Sequence, residues 1–199
     1  MGSIAGSKKL KRQMAPMFWG INRKEKRFVI TVRPGSHPKN NSIPTAVLLR
    51  DTLKKVKTLR EAKSSIYGGK IKVDGIIQKS LHHSIGLMDV VELEGITDVY
   101  RLVPYNRHLL EPIKINAAEK SKKLVKVKSK TTIKGGKTQL GFHDGRTIIT
   151  DINANVNDTC LLQIPEQKIL DVIKFNSVQC ITTGPEFPYQ RDFGFDQGF

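Results

Sequence analysis

The sequence predicts an α+β module, two helices on a small sheet, set behind a basic extended N-terminal arm and followed by a small all-β barrel domain. Three observations predict it. Hydrophobic periodicity runs near 3.6 from residue 43 and switches to 2 near residue 70. Beyond residue 105, short strand-like runs recur between turn residues. Residues 1–42 keep neither period and are punctuated by Pro16, Pro34-Gly35, Pro38 and Asn40-Asn41. The chain therefore divides into an arm (1–42), a module (43–104), a barrel (105–185) and an irregular aromatic-rich tail (186–199).

In the arm, only Arg27–Val32 reads as a short strand. So polar a segment buries too little apolar surface to offset its chain entropy, so it is expected to order mainly on a partner. Phe18-Trp19 is its local anchor, packing on the body or stacking on a base. The module opens with a helix over Ile43–Lys57, with Ser42 as its cap and Pro44 in the first turn. At 100° per residue, Ala46, Leu48, Leu49, Leu53 and Val56 share one half of this helix. Arg50, Lys54 and Lys57 stand at i, i+4, i+7 on the other half as a cationic stripe. A second helix starts at Thr58, whose spacing to Glu61 is that of a capping box; Leu59, Ala62 and Ile66 form its apolar face and Gly68-Gly69 ends it. Lys70–Lys79 reads as a hairpin turning at Asp74-Gly75, the chemistry of a type I′ turn. Asp89–Leu93 and Tyr100–Val103 add strands, and Pro104 marks the end. Residues 106–118 read as a polar linker, partly helical near Ala117–Glu119.

Six strand runs follow: Leu124–Lys128, Lys137–Phe142, Arg146–Thr150, Cys160–Ile164, Lys168–Phe175 and Gln179–Thr183. Gly135-Gly136, Asp144-Gly145 and Pro165-Glu166-Gln167 separate them, the pattern of a small barrel. The tail carries Phe187, Tyr189, Phe193, Phe195 and Phe199 with no helical or strand period.

Charge narrows the function. The net charge is +16 and the pI is 9.9, against roughly 2–8 in magnitude for a small domain tuned only for solubility. Residues 1–60 hold 15 basic and 2 acidic side chains, residues 61–120 hold 8 of each, and 121–137 hold seven lysines and no acid. Charge segregated this way calls for a polyanion, a nucleic acid or an anionic membrane surface. No run approaches the ~18 apolar residues of a membrane span. No apolar core follows the basic N-terminus as in a signal peptide, and Gly6 stands where myristoylation requires Ser or Thr. Cys160 and Cys180 lack metal-ligand spacing and read as small buried hydrophobes of a reducing compartment. The expectation is a cytoplasmic protein with nucleic acid as partner and no membrane.

Candidate chemical groups read as structure. His82-His83 lack a third ligand at metal spacing. His143-Asp144 and Asp74 sit beside turn glycines, and no nucleophile motif accompanies them. Gly135-Gly136 belongs to no phosphate-binding signature. No enzymatic activity, metal, cofactor or small-molecule substrate is expected. Lys8-Lys9-x-Lys11-Arg12 has the form of a nuclear localisation signal, but nucleic-acid contact accounts for the same residues.

Leu10-Lys11-Arg12-x-x-Ala15-Pro16-x-x-Trp19 resembles the amino-terminal signature of small-subunit ribosomal protein four of the archaeal and eukaryotic type. Arg33-Pro34-Gly35-x-His37, Ser42-Ile43-Pro44, Leu49-Arg50-Asp51-x-Leu53, Val73-Asp74-Gly75 and Gly86-x-Met88-Asp89-Val90 are similar in order and spacing. So are Gln139-Leu140-x-Phe142-His143-Asp144-Gly145-Arg146 and Val156-Asn157-Asp158-Thr159, so that the likeness covers roughly residues 8–184. The resemblance implies an S-four-type RNA-binding module near 43–104, a central β-barrel, and a structural, rRNA-binding role in the small ribosomal subunit among neighbouring ribosomal proteins. This chain departs from the family at Gln78, where Arg is usual, and at Ser84, where Pro is usual. After Gly184, the aromatic tail stands where the family continues into a KOW-type module.

Phosphate neutralisation is then the expected mechanism. Arg50, Lys54, Lys57 and Arg60 set orientation, and Lys8, Lys9, Lys11 and Arg12 add affinity. Trp19, Arg33, His37, Lys39, Lys72 and Lys79 complete the expected RNA contacts. One alternative is a free RNA-binding factor associating transiently with ribosomes. Another is an RNA-modifying enzyme, for which residues 105–199 are too short and too β-repetitive.

Overall fold

A computed structural model describes residues 9–22, 24–105, 108–133 and 135–175. From Lys9 on, the N-terminal segment is not the partner-dependent arm that its composition suggests. β1 (Lys9–Lys11) pairs antiparallel with β2 (Phe28–Ile30). Between them, two single 3-10 turns bring Ala15, Trp19 and Ile21 down onto the body. Together with Val29 and Val32, these residues belong to the same buried cluster as the module's own Leu48, Ile66 and Ile85. The apolar residues needed to hold the segment are present but aperiodic, so only long-range packing reveals them.

β3 (Ile43–Pro44) pairs with β6 (Ser84–Ile85), and α1 (Thr45–Val47) runs directly into a π turn over Leu48–Thr52. The helix expected to reach Lys57 stops early. Leu53 N–H reaches back five residues to Leu48 C=O at 2.8 Å, and Lys54 turns into the left-handed region with φ 52°. The chain needs residues 53–57 to swing round into α2 (Leu59–Tyr67). There the capping box forms as expected: Thr58 Oγ1 accepts the Glu61 N–H at 3.2 Å and Glu61 Oε2 accepts the Thr58 N–H at 3.3 Å. Ala62 and Ile66 are buried, whereas Leu59 is exposed.

The hairpin of β4 (Ile71–Val73) and β5 (Ile76–Ile77) turns on Asp74 and Gly75, at φ 51° and 78°, the two positive values of a type I′ turn. β7 (Val90–Leu93) and β8 (Val99–Tyr105) extend the sheet, and β9 (His108–Ile115) completes the antiparallel order β5-β4-β7-β8-β9. β9 occupies most of the segment expected to be a linker, and only Ala117–Glu119 makes a helical turn. Pro112 is tolerated in it because β9 lies at the edge of the sheet, where a missing N–H can face away from the ladder.

The second sheet has the order β12-β11-β10-β13-β14. Its members are β10 (Lys122–Thr132), β11 (Thr138–Phe142), β12 (Thr147–Thr150), β13 (Thr159–Gln163) and β14 (Lys168–Ile173). β10 spans the sheet. Lys122–Lys126 pair with β13, Val127–Thr132 pair with β11, and an irregularity between Val127 and Ser129 bends the strand. The five expected strands that fall within the described residues are present, but among those residues the sheet stays open, half of a barrel with β12 and β14 as its edges. The strand expected at Gln179–Thr183 and the aromatic tail lie outside the described residues. Val125, Val127, Leu140, Phe142, Ala154, Cys160 and Leu162 form this sheet's small core, separate from the larger N-terminal one.

Candidate nucleic-acid interface

Strand alternation decides what each lysine of β10 does. Lys123, Val125 and Val127 point inward and are buried; Lys122, Lys126 and Lys128 point outward and are exposed. Lys130, past the bend, is also exposed and donates to Asn153 Oδ1 at 3.1 Å. Among the described residues no carboxylate pairs with Lys122, Lys126 or Lys128. This row is absent from the contacts expected from sequence, although its signal, lysines alternating with valines, was there to read.

The inward lysine closes an ionic hub between the two cores. Lys123 Nζ lies 2.6 Å from Asp74 Oδ2, 2.6 Å from Asp89 Oδ1 and 3.2 Å from Asp144 Oδ2. The last contact is held by charge alone, because its angle makes no hydrogen bond. Arg146 Nη2 adds a second cation 2.7 Å from Asp74 Oδ2. Backbone donors fix the acids: Val90 N–H to Asp74 Oδ1 at 2.9 Å and Gly86 N–H to Asp89 Oδ2 at 2.8 Å. His37 Nε2 lies 3.1 Å from Asp89. Burial works to lower the Lys123 ammonium, but the charges of Asp89, Asp74 and Asp144 outweigh it and push its pKa up to about 12. Burial likewise works to raise the Asp89 carboxyl, but the His37 hydrogen bond and the Lys123 charge hold it well below the usual carboxylate range. Burial and the Asp89 charge hold Asp74 above that range.

Every acid of this hub is committed to a neighbouring cation or backbone N–H. The hub ties His37 of the N-terminal segment, Asp74 and Asp89 of the first sheet, and Lys123, Asp144 and Arg146 of the second. It is a clamp between units, and all of its members but Lys123 lie in the motifs that carry the family resemblance. Among the described residues, no cluster of His, Cys, Asp and Glu has the arrangement of a metal site.

The contacts expected from sequence fall into three groups. Lys11, Arg33, Lys54, Lys57, Arg60, Lys72 and Lys79 are exposed and Lys39 is half-buried, but they form no helical stripe, because the first helix ends before Lys54. Arg12 and Arg50 are already occupied. The Arg12 guanidinium donates to the Ile21 carbonyl, through Nε at 3.0 Å. Arg50 grips Asp51 through Nε at 3.0 Å and Nη2 at 2.7 Å. Trp19 and His37 are corrections: Trp19 is fully buried and its indole N–H donates to the Ser42 carbonyl at 2.8 Å, so it offers no face to a base. His37 is buried against Asp89 for the same kind of reason, its polar edge being used inside. Lys8 and the side chain of Lys9 lie outside the described residues.

An outward row of lysines, exposed cations on both sheets and a buried clamp describe a basic, β-rich protein with much of its positive charge on the surface. The model of the Ribosomal family S4e matches residues 96–169, and that of the RS4NT (NUC023) domain matches residues 5–40. The small ribosomal subunit protein eS4 of Ignicoccus hospitalis is 40% identical over 186 residues, covering 88% of this chain and 73% of that protein. The protein of the same name from Methanothermobacter thermautotrophicus is 40% identical over 186 residues, covering 92% and 77%. The crystal structure of 30S ribosomal protein S4e from Thermoplasma acidophilum matches with a TM-score of 0.60 at 37% identity, covering 68% of this chain and 70% of that one. The chain belongs to the S4e family of ribosomal proteins.

Proposed function

We infer that this chain is a structural constituent of the small ribosomal subunit, working in the cytoplasm, that binds rRNA and supports translation. The observation that carries the reading is the likeness, along nine-tenths of the chain, to small-subunit proteins of this family. The geometry agrees with it: exposed cations with no carboxylate partner among the described residues lie on both units, while Lys123 and Arg146 are held in the hub. Arg33, Lys54, Lys57, Arg60, Lys72 and Lys79 on the first unit and Lys122, Lys126 and Lys128 on the second neutralise phosphates and release counterions. A-form grooves offer side chains little sequence, so the protein reads shape. Residues from 43 form the S-four-type module, now extended through β9, and residues from 122 form the barrel domain. Neighbouring ribosomal proteins are its other partners. The family's role is structural, and no catalytic step is assigned to this chain.

Filter binding to a small-subunit rRNA transcript tests this. If about 6–10 phosphates are engaged, affinity falls roughly a thousandfold or more between 50 and 200 mM salt. A flat salt response overturns the reading. Retention near one copy per small subunit after a high-salt wash separates a constituent from a transient visitor.

A further inference from the structure

A cleft of about 430 Å³ opens between the segment at His37–Asn41, the turn at Leu87-Met88 and the outward face of β10. Its wall is apolar, made by Pro38, Leu87, Met88 and Leu124, and Lys126 and Lys128 stand beside it. Among the described residues no carboxylate lines it. Three other clefts differ in this respect: one carries Asp74, Asp89 and Asp144, another Glu94, a third Glu92 and Glu94. An apolar wall with cations at its rim suits a ligand with a flat uncharged body and anionic flanks.

His143 is presented to this cleft by both of its ring nitrogens. Nδ1 accepts the Lys126 N–H at 3.1 Å, and Nε2 faces the Leu87 carbonyl at 3.4 Å. An Nδ1 that accepts leaves Nε2 to carry the proton, so the ring edge is spoken for and the ring face is what remains for a ligand. Burial pushes the His143 pKa down, in keeping with a neutral ring. The side chain of Asn41, exposed beside Pro38, brings an amide donor and acceptor to the cleft.

We propose that this cleft is a socket for one rRNA nucleotide turned out of its stack, with its base against the apolar wall and His143 and its flanking phosphates on Lys126 and Lys128. The proposal rests on the rRNA-binding role inferred above. Sequence-specific RNA recognition favours bases splayed out of loops and bulges, stacked on flat side chains and read along their edges. The two lysines stand two positions apart on β10, close enough for neighbouring phosphates of one strand to reach both.

The test uses the full chain and a small-subunit rRNA transcript carrying 4-thiouridine. Photocross-linking followed by peptide mapping is expected to mark the peptides bearing Asn41, Leu87-Met88 or Leu124. Asn41→Trp fills the mouth of the cleft from an exposed position. It is expected to weaken rRNA binding about tenfold or more, the worth of one base contact, without changing the salt slope, because every phosphate-binding lysine is kept. Cross-links confined to lysine-bearing peptides elsewhere, or undiminished binding by Asn41→Trp, overturn the socket while leaving rRNA binding intact. A wild-type chain that ignores the transcript overturns both readings.

Discussion

Lys123 and Lys126 lie three residues apart on one strand, and their surroundings are opposite. Lys123 is 1% exposed and touches three carboxylates. Lys126 is exposed and, among the described residues, touches none. The phase of the strand alone separates them, and it sends one lysine to hold the protein together and the other toward a partner. In a chain with 34 basic residues, the net charge therefore overstates what a polyanion can reach, and burial sorts the two populations.

The largest break in that contrast comes from Lys123→Met. Removing the ammonium leaves Asp74, Asp89 and Asp144 facing one another, with Arg146 on Asp74 and Asp144 and the His37 imidazole on Asp89. Losing one partner of a buried pair costs about 3–5 kcal/mol, and a denaturant titration should show the midpoint fall accordingly. A Lys123→Met protein as stable as the wild type would mean that the hub is idle. Gly86→Ala attacks the same hub through shape. A Cβ there would lie 2.6 Å from His37 Nδ1 and Cδ2, so the imidazole must leave Asp89 or the turn must shift. Overpacking of this kind costs about 1–3 kcal/mol, readable in the same titration.

Acid sharpens the contrast next. Asp89 is held low, so the stability it lends is present above the usual carboxylate pKa and is lost as pH falls below it toward the depressed value. Asp74 is held high and works against it, because the fold disfavours its ionised form as pH rises past the usual value. Lys123 contributes fully below its ordinary 10.5 and loses that contribution only as pH climbs toward about 12. Asp89→Asn should therefore flatten the fall in stability between about pH 4 and pH 2, measured as urea midpoints across that range. An unchanged acid limb would place the titrating groups elsewhere.

How much of this was legible in the sequence depended on how local its cause was. The Thr58 capping box, the Asp74-Gly75 turn and most strands of the second sheet rest on chemistry within a few residues, and the sequence displays it. The end of the first helix does not, because Lys54 adopts a left-handed conformation with no glycine to announce it. The N-terminal segment was misread because Trp19, Ile21, Val29 and Val32 reach the core only by long-range packing. β9 was hidden by Pro112, which breaks the strand pattern locally but which an edge strand tolerates. At the candidate site, Lys123 was hidden in a run of seven lysines, although its phase with Val125 and Val127 was the one available clue. His37 was misassigned because a motif shows that a residue matters and leaves open whether it faces inward or outward.

The smallest effect on stability belongs to the outward row, and it is the most informative about function. Lys126→Ala with Lys128→Ala removes two exposed charges that pair with no described carboxylate. Surface changes of this kind usually stay within about 0.5 kcal/mol, so the melting curve should not move. Each phosphate no longer neutralised lowers the salt slope of RNA binding by about 1, so the double variant should reduce it by about 2, uniformly across RNA sequences. Stability and salt slope would then respond to different lysines of the same strand, Lys123 moving the first and Lys126 with Lys128 the second. If the double variant instead melted early with its salt slope intact, the outward lysines would be structural, and the division of β10 into an inner clamp and an outer contact row would fail.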